Sequence, residues 1–328
     1  MAGNRGGHDR RRTKRPNGTQ RPAGKESSGS KALGSGLFAR ISPPLRFLVA
    51  TALAALITAG ITVWVNAGSE SRQQRQATQE DLRKPPLTIT VKYIWGEGVE
   101  WAMKGKLPPD AQRQFEQLTT IQSWGQDNLN RLHALLQHNN GVRFEALYDD
   151  RTKTHIGEST PLRIIVSGNR SSPVVIQDMH VHVLKRESPI SGSLFYGEPQ
   201  GEGDAIGLAF NLDAPDPIAL RTDKSGLPTD QPYFSRKFVT LQPGEPIVFN
   251  ILAYTKKCYC EWELVIDTVV AGKSQKLVVR DEGQPFRTTA LANSYDAAYS
   301  AFSTSPTHIF TRMSPNWTPL SDRPGWNK

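Results

Sequence analysis

The chain has 328 residues, 37% hydrophobic and 22% charged, with two cysteines, 27 glycines and 23 prolines. That composition excludes a disulfide-stapled miniprotein, a collagen-like fibre and a wholly disordered polymer. The net charge of +9 does not describe a basic folded domain: residues 1–46 hold eleven Lys and Arg against Asp9 and Glu26, and the other 282 residues carry 29 charges of each sign.

Residues 1–46 are dominated by Gly, Ser, Arg, Lys and Pro, with few apolar side chains before Leu37. So little burial cannot offset the entropy of ordering, and a disordered basic tail is expected. Its six cations from Arg5 to Arg15 suit nucleic acid or anionic lipid. No aromatic residue is interleaved to stack on a base, so a solvated topology signal is the preferred reading.

Phe47 to Val65 is an uncharged run of nineteen residues, enough to cross a hydrocarbon core as a helix. Arg46 closes one end and Trp64 stands near the other, as interface anchors do. The expectation is one transmembrane helix over 47–66 in contact with membrane lipid. Nearby charge does not orient it, because Arg40 and Arg46 on one side match Arg72 and Arg75 on the other. The whole tail does: a segment with eleven cations resists crossing a negative-inside membrane, which keeps the N-terminus cytoplasmic and the C-terminal region extracytoplasmic. Val65-Asn66-Ala67 offers a competing reading, a secretory signal cut near Ala67 with release of the product. Residues 67–86, rich in Gln, Arg and Glu and closed by Pro85-Pro86, form a partly helical stalk.

Residues 87–160 are expected to form a strand and a helix packed on the domain that follows. Leu87, Ile89, Val91 and Tyr93 alternate with polar residues as a strand. Pro108-Pro109-Asp110 then starts one amphipathic helix, with Asp110 able to cap it. Phe115, Leu118, Ile121, Trp124, Leu129, Leu132, Leu135 and Leu136 recur at helical spacing, interrupted by Gly125 and ended by Asn139-Asn140-Gly141. The stripe reads as the buried side of that helix.

Residues 161–290 read as strands: Leu162–Val166, Val174–Leu184, Ala205–Leu212, Phe234–Leu241, Ile247–Tyr254, Tyr259–Val270 and Lys276–Val279, separated by turn-forming residues. With no room for crossover helices, the predicted fold is mainly β: an antiparallel β-sandwich of immunoglobulin-like architecture. Cys258, Cys260, Trp262, Leu264 and Ile266 share one face of their strand. The two cysteines cannot staple distant strands, so they form either a local disulfide or a pair of thiols. A soft-metal or disulfide-exchange site is the less favoured reading, for want of further ligands.

The sharpest chemical pattern is Asp178-Met179-His180-Val181-His182. On a strand, Asp178, His180 and His182 face one way and can chelate a divalent metal, while Met179, Val181 and Val183 face the other. Glu187 adds the His-x-His-x4-Glu spacing of a cupin, but Val174 stands where that motif needs glycine and no second motif follows, so the resemblance fails. The plainer reading of the pattern is the exposed face of a half-solvated sheet. No nucleophile elbow, His-Glu-x-x-His, phosphate loop or dinucleotide fingerprint is present. The acidic loops with Glu198, Glu202 and Asp204, and with Asp213 and Asp216, lack calcium-loop spacing. Residues 291–328 carry Tyr295, Tyr299 and Phe302 on an expected short helix, then Pro306, Pro315, Pro319 and Pro324 with Trp317 and Trp326, a tail that either wraps the domain or holds a partner. These features together predict a membrane-anchored interaction or scaffold module of the cell envelope with a protein partner. The competing prediction is a metal-binding or enzymatic ectodomain centred on Asp178, His180 and His182.

Overall fold

The computed structural model describes residues 75–96, 98–197, 206–301 and 307–322. The expected tail, the 47–66 anchor and the start of the stalk lie outside the described residues. No helix among the described residues is long and apolar enough to cross a membrane.

The described part of the segment expected as a stalk is helix α1, residues 75–83. Its end is tied to a turn of the domain, where the Asp81 carboxylate accepts bonds from the Ser171 backbone N–H at 3.1 Å and from its hydroxyl at 3.0 Å.

The chain is mainly β, in three sheets. The first runs β1 (Leu87–Tyr93), β5 (Thr154–Gly168), β12 (Pro246–Thr255), β8 (Ile206–Asn211), β9 (Leu220–Thr222) and β10 (Pro228–Pro232), with β4 (Glu145–Asp149) also on β5. The second runs β11 (Val239–Leu241), β6 (Val174–Glu187), β13 (Tyr259–Val270) and β14 (Lys273–Val279), with β15 (Phe286–Thr289) on β13. These two sheets enclose one core. Leu162, Ile164, Val166, Phe249 and Ile251 of the first meet Ile176, Met179, Val181, Trp262 and Leu264 of the second. The alternation legible in the sequence produces this directly, since each strand turns every second side chain inward.

The third sheet runs β17 (Thr311–Met313), β16 (Ala297–Ser300), β7 (Ser193–Gly197), β2 (Val99–Met103) and β3 (Val142–Arg143). Val99, Trp101, Met103 and Phe195 face helices α2 (Pro109–Leu118) and α3 (Gln126–His138). Ala102, Leu194, Tyr196 and Ala298 face the opposite way, into a core with Phe144, Tyr259 and Trp317. Both faces of this sheet are covered.

Four expectations are corrected. Pairing is not all antiparallel: β12 with β8, and β16 with β7, run parallel. The connections between those partners pass through strands of other sheets, so no crossover helix is needed. The single expected helix is α2 and α3. The hydroxyls of Thr119 and Thr120 bond back to Phe115 O at 2.9 Å and Gln117 O at 3.1 Å, and the next residues leave the helix to pair with 307–309. Asp110 makes no cap; Pro108 occupies that position, and Asp110 bonds Arg113 instead. Tyr299 lies on strand β16 rather than on a helix, and Tyr295 and Trp317 are buried against their own domain. Phe302, Pro306, Pro324 and Trp326 lie outside the described residues.

Charge is also enclosed where the third sheet meets the first. Arg143 donates to the carbonyls of Gly96 and Gly98 at 2.8 and 2.9 Å, Glu145 accepts from the Gly96 N–H, and Glu100 accepts from Ala146 N–H at 3.4 Å. Glu100 Oε2 is buried and has no hydrogen-bond partner among the described residues. Burial first, and the neighbouring Glu145 second, push the Glu100 carboxyl well above the usual carboxylate range.

Candidate functional site

The outer face of the second sheet holds the His-containing pattern. Strand β6 sends Met179 and Val181 into the core, which turns Asp178, His180 and His182 outward. On β13 the residues opposite them are Asp267, Val265 and Glu263. On β14, Lys276 stands opposite Asp267 and Val278 opposite Val265. Three cross-strand rows result: an acidic row Asp178–Asp267 closed by Lys276, a middle row His180–Val265–Val278, and an outer row in which His182 and Arg280 flank Glu263.

The two histidines have different surroundings. His182 Nδ1 lies 3.1 Å from Glu263 Oε1, while Arg280 grips Glu263 Oε2 through Nε at 2.7 Å and Nη2 at 2.6 Å. Burial alone pushes the Glu263 carboxyl up, but the bonds from His182 and Arg280 outweigh it and hold the group below the usual carboxylate range. His180 has no such partner. Its Nδ1 lies 3.5 Å from Asp178 Oδ2 and 3.6 Å from Asp267 Oδ2, is covered from solvent, and has no closer polar partner among the described residues. Burial raises the Asp178 carboxyl; the His180 ring opposes this, and the charge of Asp267 adds to it.

The structure therefore brings Asp178 and His180 together, adds Asp267, and sets His182 aside on Glu263. Asp178, His180 and Asp267 are the one group of three such ligands among the described residues whose donor atoms lie within 4.8 Å of one another. Asp267 was missed because its partners belong to another strand. Its signal was present in the alternation Glu263, Val265, Asp267 against Trp262, Leu264, Ile266. Beside the rows lies a cleft of about 420 Å³, walled by Pro215, Asp216 and Pro217 and floored by His180, Val265 and Val278. The 217–218 segment reaches it by pairing with the edge of β6, Val181 N–H to Pro217 O at 3.0 Å and Ile218 bridged to His180.

No protein family, curated protein or solved structure matches the chain.

Cys258 and Cys260 are joined as a local disulfide. Both are buried, which leaves no exposed sulfur for exchange or metal capture. Asp213, the remaining acidic loop residue, is occupied in the β12–β13 turn, accepting from Thr255 Oγ1 at 2.6 Å and Lys256 N–H at 2.8 Å. Glu198, Glu202 and Asp204 lie outside the described residues.

Proposed function

We propose that the protein is a single-pass envelope protein, its basic tail cytoplasmic and its β-rich domain extracytoplasmic, acting as an interaction or scaffold module that docks a protein partner on the outer face of β6, β13 and β14. The observation that carries this is the arrangement of that face. Val278 is 53% exposed and Ile218 42% exposed around a covered Val265, and charged rows frame them on both sides. An apolar centre inside a polar rim is the anatomy of a protein-binding patch. The free edge of β14 is not the docking element. Lys273 and Lys276 line it, and lysines on an edge strand oppose addition of a further strand.

Three further features support the reading. The uncharged run Phe47–Val65 supplies an anchor, the polar residues 67–86 follow it in the chain as a linker, and the Cys258–Cys260 disulfide suits an oxidising compartment. Two sheets enclosing one core give an architectural analogy with immunoglobulin-like binding modules, without their strand pattern.

Site-specific photo-crosslinking in native membranes tests it. A probe at Val278 is expected to capture a defined partner that a probe at Thr90, exposed on the first sheet, does not. Val278→Glu should abolish co-purification of that partner with thermal stability unchanged. Identical products from both positions, or undiminished recovery by Val278→Glu, would reject the docking face.

A further inference from the structure

We infer that Asp178, His180 and Asp267 form a binding site for a first-row divalent cation of the Zn²⁺ class. The inference stands apart from the partner-docking reading, since it concerns the protein alone.

Distance carries the argument. An N–H···O hydrogen bond holds its heavy atoms about 2.7–3.2 Å apart. His180 Nδ1 stands beyond that limit from both carboxylates, at 3.5 and 3.6 Å, and is buried with no closer polar partner among the described residues. Ligands at about 2.0–2.2 Å from a tetrahedral ion are about 3.3–3.5 Å from each other. The spacing is thus too wide for direct bonding and suited to ligands sharing one ion.

Charge points the same way. Asp178 and Asp267 are directly opposed across β6 and β13, an arrangement of like charges that destabilises a sheet unless a cation lies nearby. Lys276 supplies one cation, 3.5 Å from Asp267 Oδ1, the oxygen that does not face His180. Asp178 Oδ2, Asp267 Oδ2 and the imidazole are left facing one another. One nitrogen and two carboxylate oxygens suit Zn²⁺ and its neighbours better than Ca²⁺ or Mg²⁺, which favour all-oxygen shells. Three protein ligands leave a fourth position for water. With Nδ1 as the ligand, the ring proton stays on Nε2.

Isothermal titration of the full-length, tag-free protein with Zn²⁺ decides the matter. One equivalent is expected to bind in the micromolar range. His180→Ala and Asp267→Asn should each weaken binding by about tenfold or more, near 1.4 kcal/mol. His182→Ala should leave it unchanged, because His182 belongs to Glu263. Lys276→Met should tighten binding, since it removes the cation competing for Asp267, and a gain of affinity cannot arise from misfolding. Absence of stoichiometric binding overturns the site, as does binding that survives both His180→Ala and Asp267→Asn, or equal loss in His182→Ala.

Discussion

Glu100 shows what one side chain costs when it is placed away from water. It sits on β2 among residues that are all buried, and one of its oxygens has no partner. A carboxyl whose pKa is raised by folding contributes its full stability below the unfolded value of 4.5 and loses it as pH rises, because the unfolded chain ionises freely while the folded one cannot. Stability attributable to this group therefore falls on the alkaline side of pH 4.5. Glu100→Gln keeps the shape and the acceptor for Ala146 while removing the ionisation. It should stabilise the protein at pH 8 by about 1–3 kcal/mol, the scale on which a raised carboxyl pKa opposes folding above the unfolded value, and reduce the difference between pH 5 and pH 8. Urea denaturation of both proteins at the two pH values measures this. A variant less stable than the parent at pH 8 would show that the carboxyl is doing something other than resisting burial.

At the scale of elements, legibility depended on whether one face of a strand meets water. Strands β6 and β13 could be placed within a few residues because Met179 and Trp262 alternate with polar positions, and β12 because its β-branched and aromatic run begins right after the turn Gln242-Pro243-Gly244. Strands β2 and β7 carry no such signal: every residue of VEWAM and SLFYG is buried, between helices on one face and aromatic side chains on the other. A short strand covered on both faces has no polar phase to reveal it. The proposed metal-ligand set was half legible for a related reason, since spacing along β6 gives Asp178 and His180 but only strand pairing brings up Asp267 and sets His182 on Glu263. The third sheet is also where backbone fit is tightest. A Cβ built on Gly192 would lie 2.3 Å from Gly105 N and 2.4 Å from the Lys104 carbonyl carbon, whereas one on Gly105 meets nothing within 4 Å. Backbone on both sides cannot yield as a side-chain tip can. Gly192→Ala should accordingly cost about 1–3 kcal/mol, and Gly105→Ala much less, by chemical denaturation at one pH. Equal losses from the two would mean that the crossing of these segments does not limit the pairing of β2 with β7.

In the folded domain as a whole, the three sheets are joined by strands whose side chains enter more than one core. Strand β13 places Cys260 and Trp262 in the core between the first two sheets and Tyr259 in the core of the third. Strand β5 meets the same junction, where Thr160 Oγ1 donates to Arg287 O at 2.9 Å. That spends its one proton, so Thr288 Oγ1 must donate across the 2.7 Å contact to Thr160 while accepting from Trp262 Nε1 at 3.0 Å. A buried chain of bonds thus runs from Trp262 through Thr288 and Thr160 to the backbone of β15. Separating the third sheet from the other two would expose Tyr259 and break the bond that Arg287 of β15 donates to the Gly141 carbonyl beside β3 at 3.4 Å, while losing the Thr288–Thr160 contact would part β15 from β5, so the layers should unfold together. Fluorine NMR of fluorotryptophan-labelled protein in urea resolves the question, with Trp262 reporting on the two facing sheets and Trp101 on the third. Their midpoints are expected to coincide. Thr288→Val, which leaves Trp262 Nε1 without its acceptor and takes from Thr160 Oγ1 the hydroxyl that donates to it, should lower both midpoints together, by about 1–3 kcal/mol in stability. A drop confined to Trp262 would mean that the paired sheets unfold on their own and that the third is a separate cooperative unit.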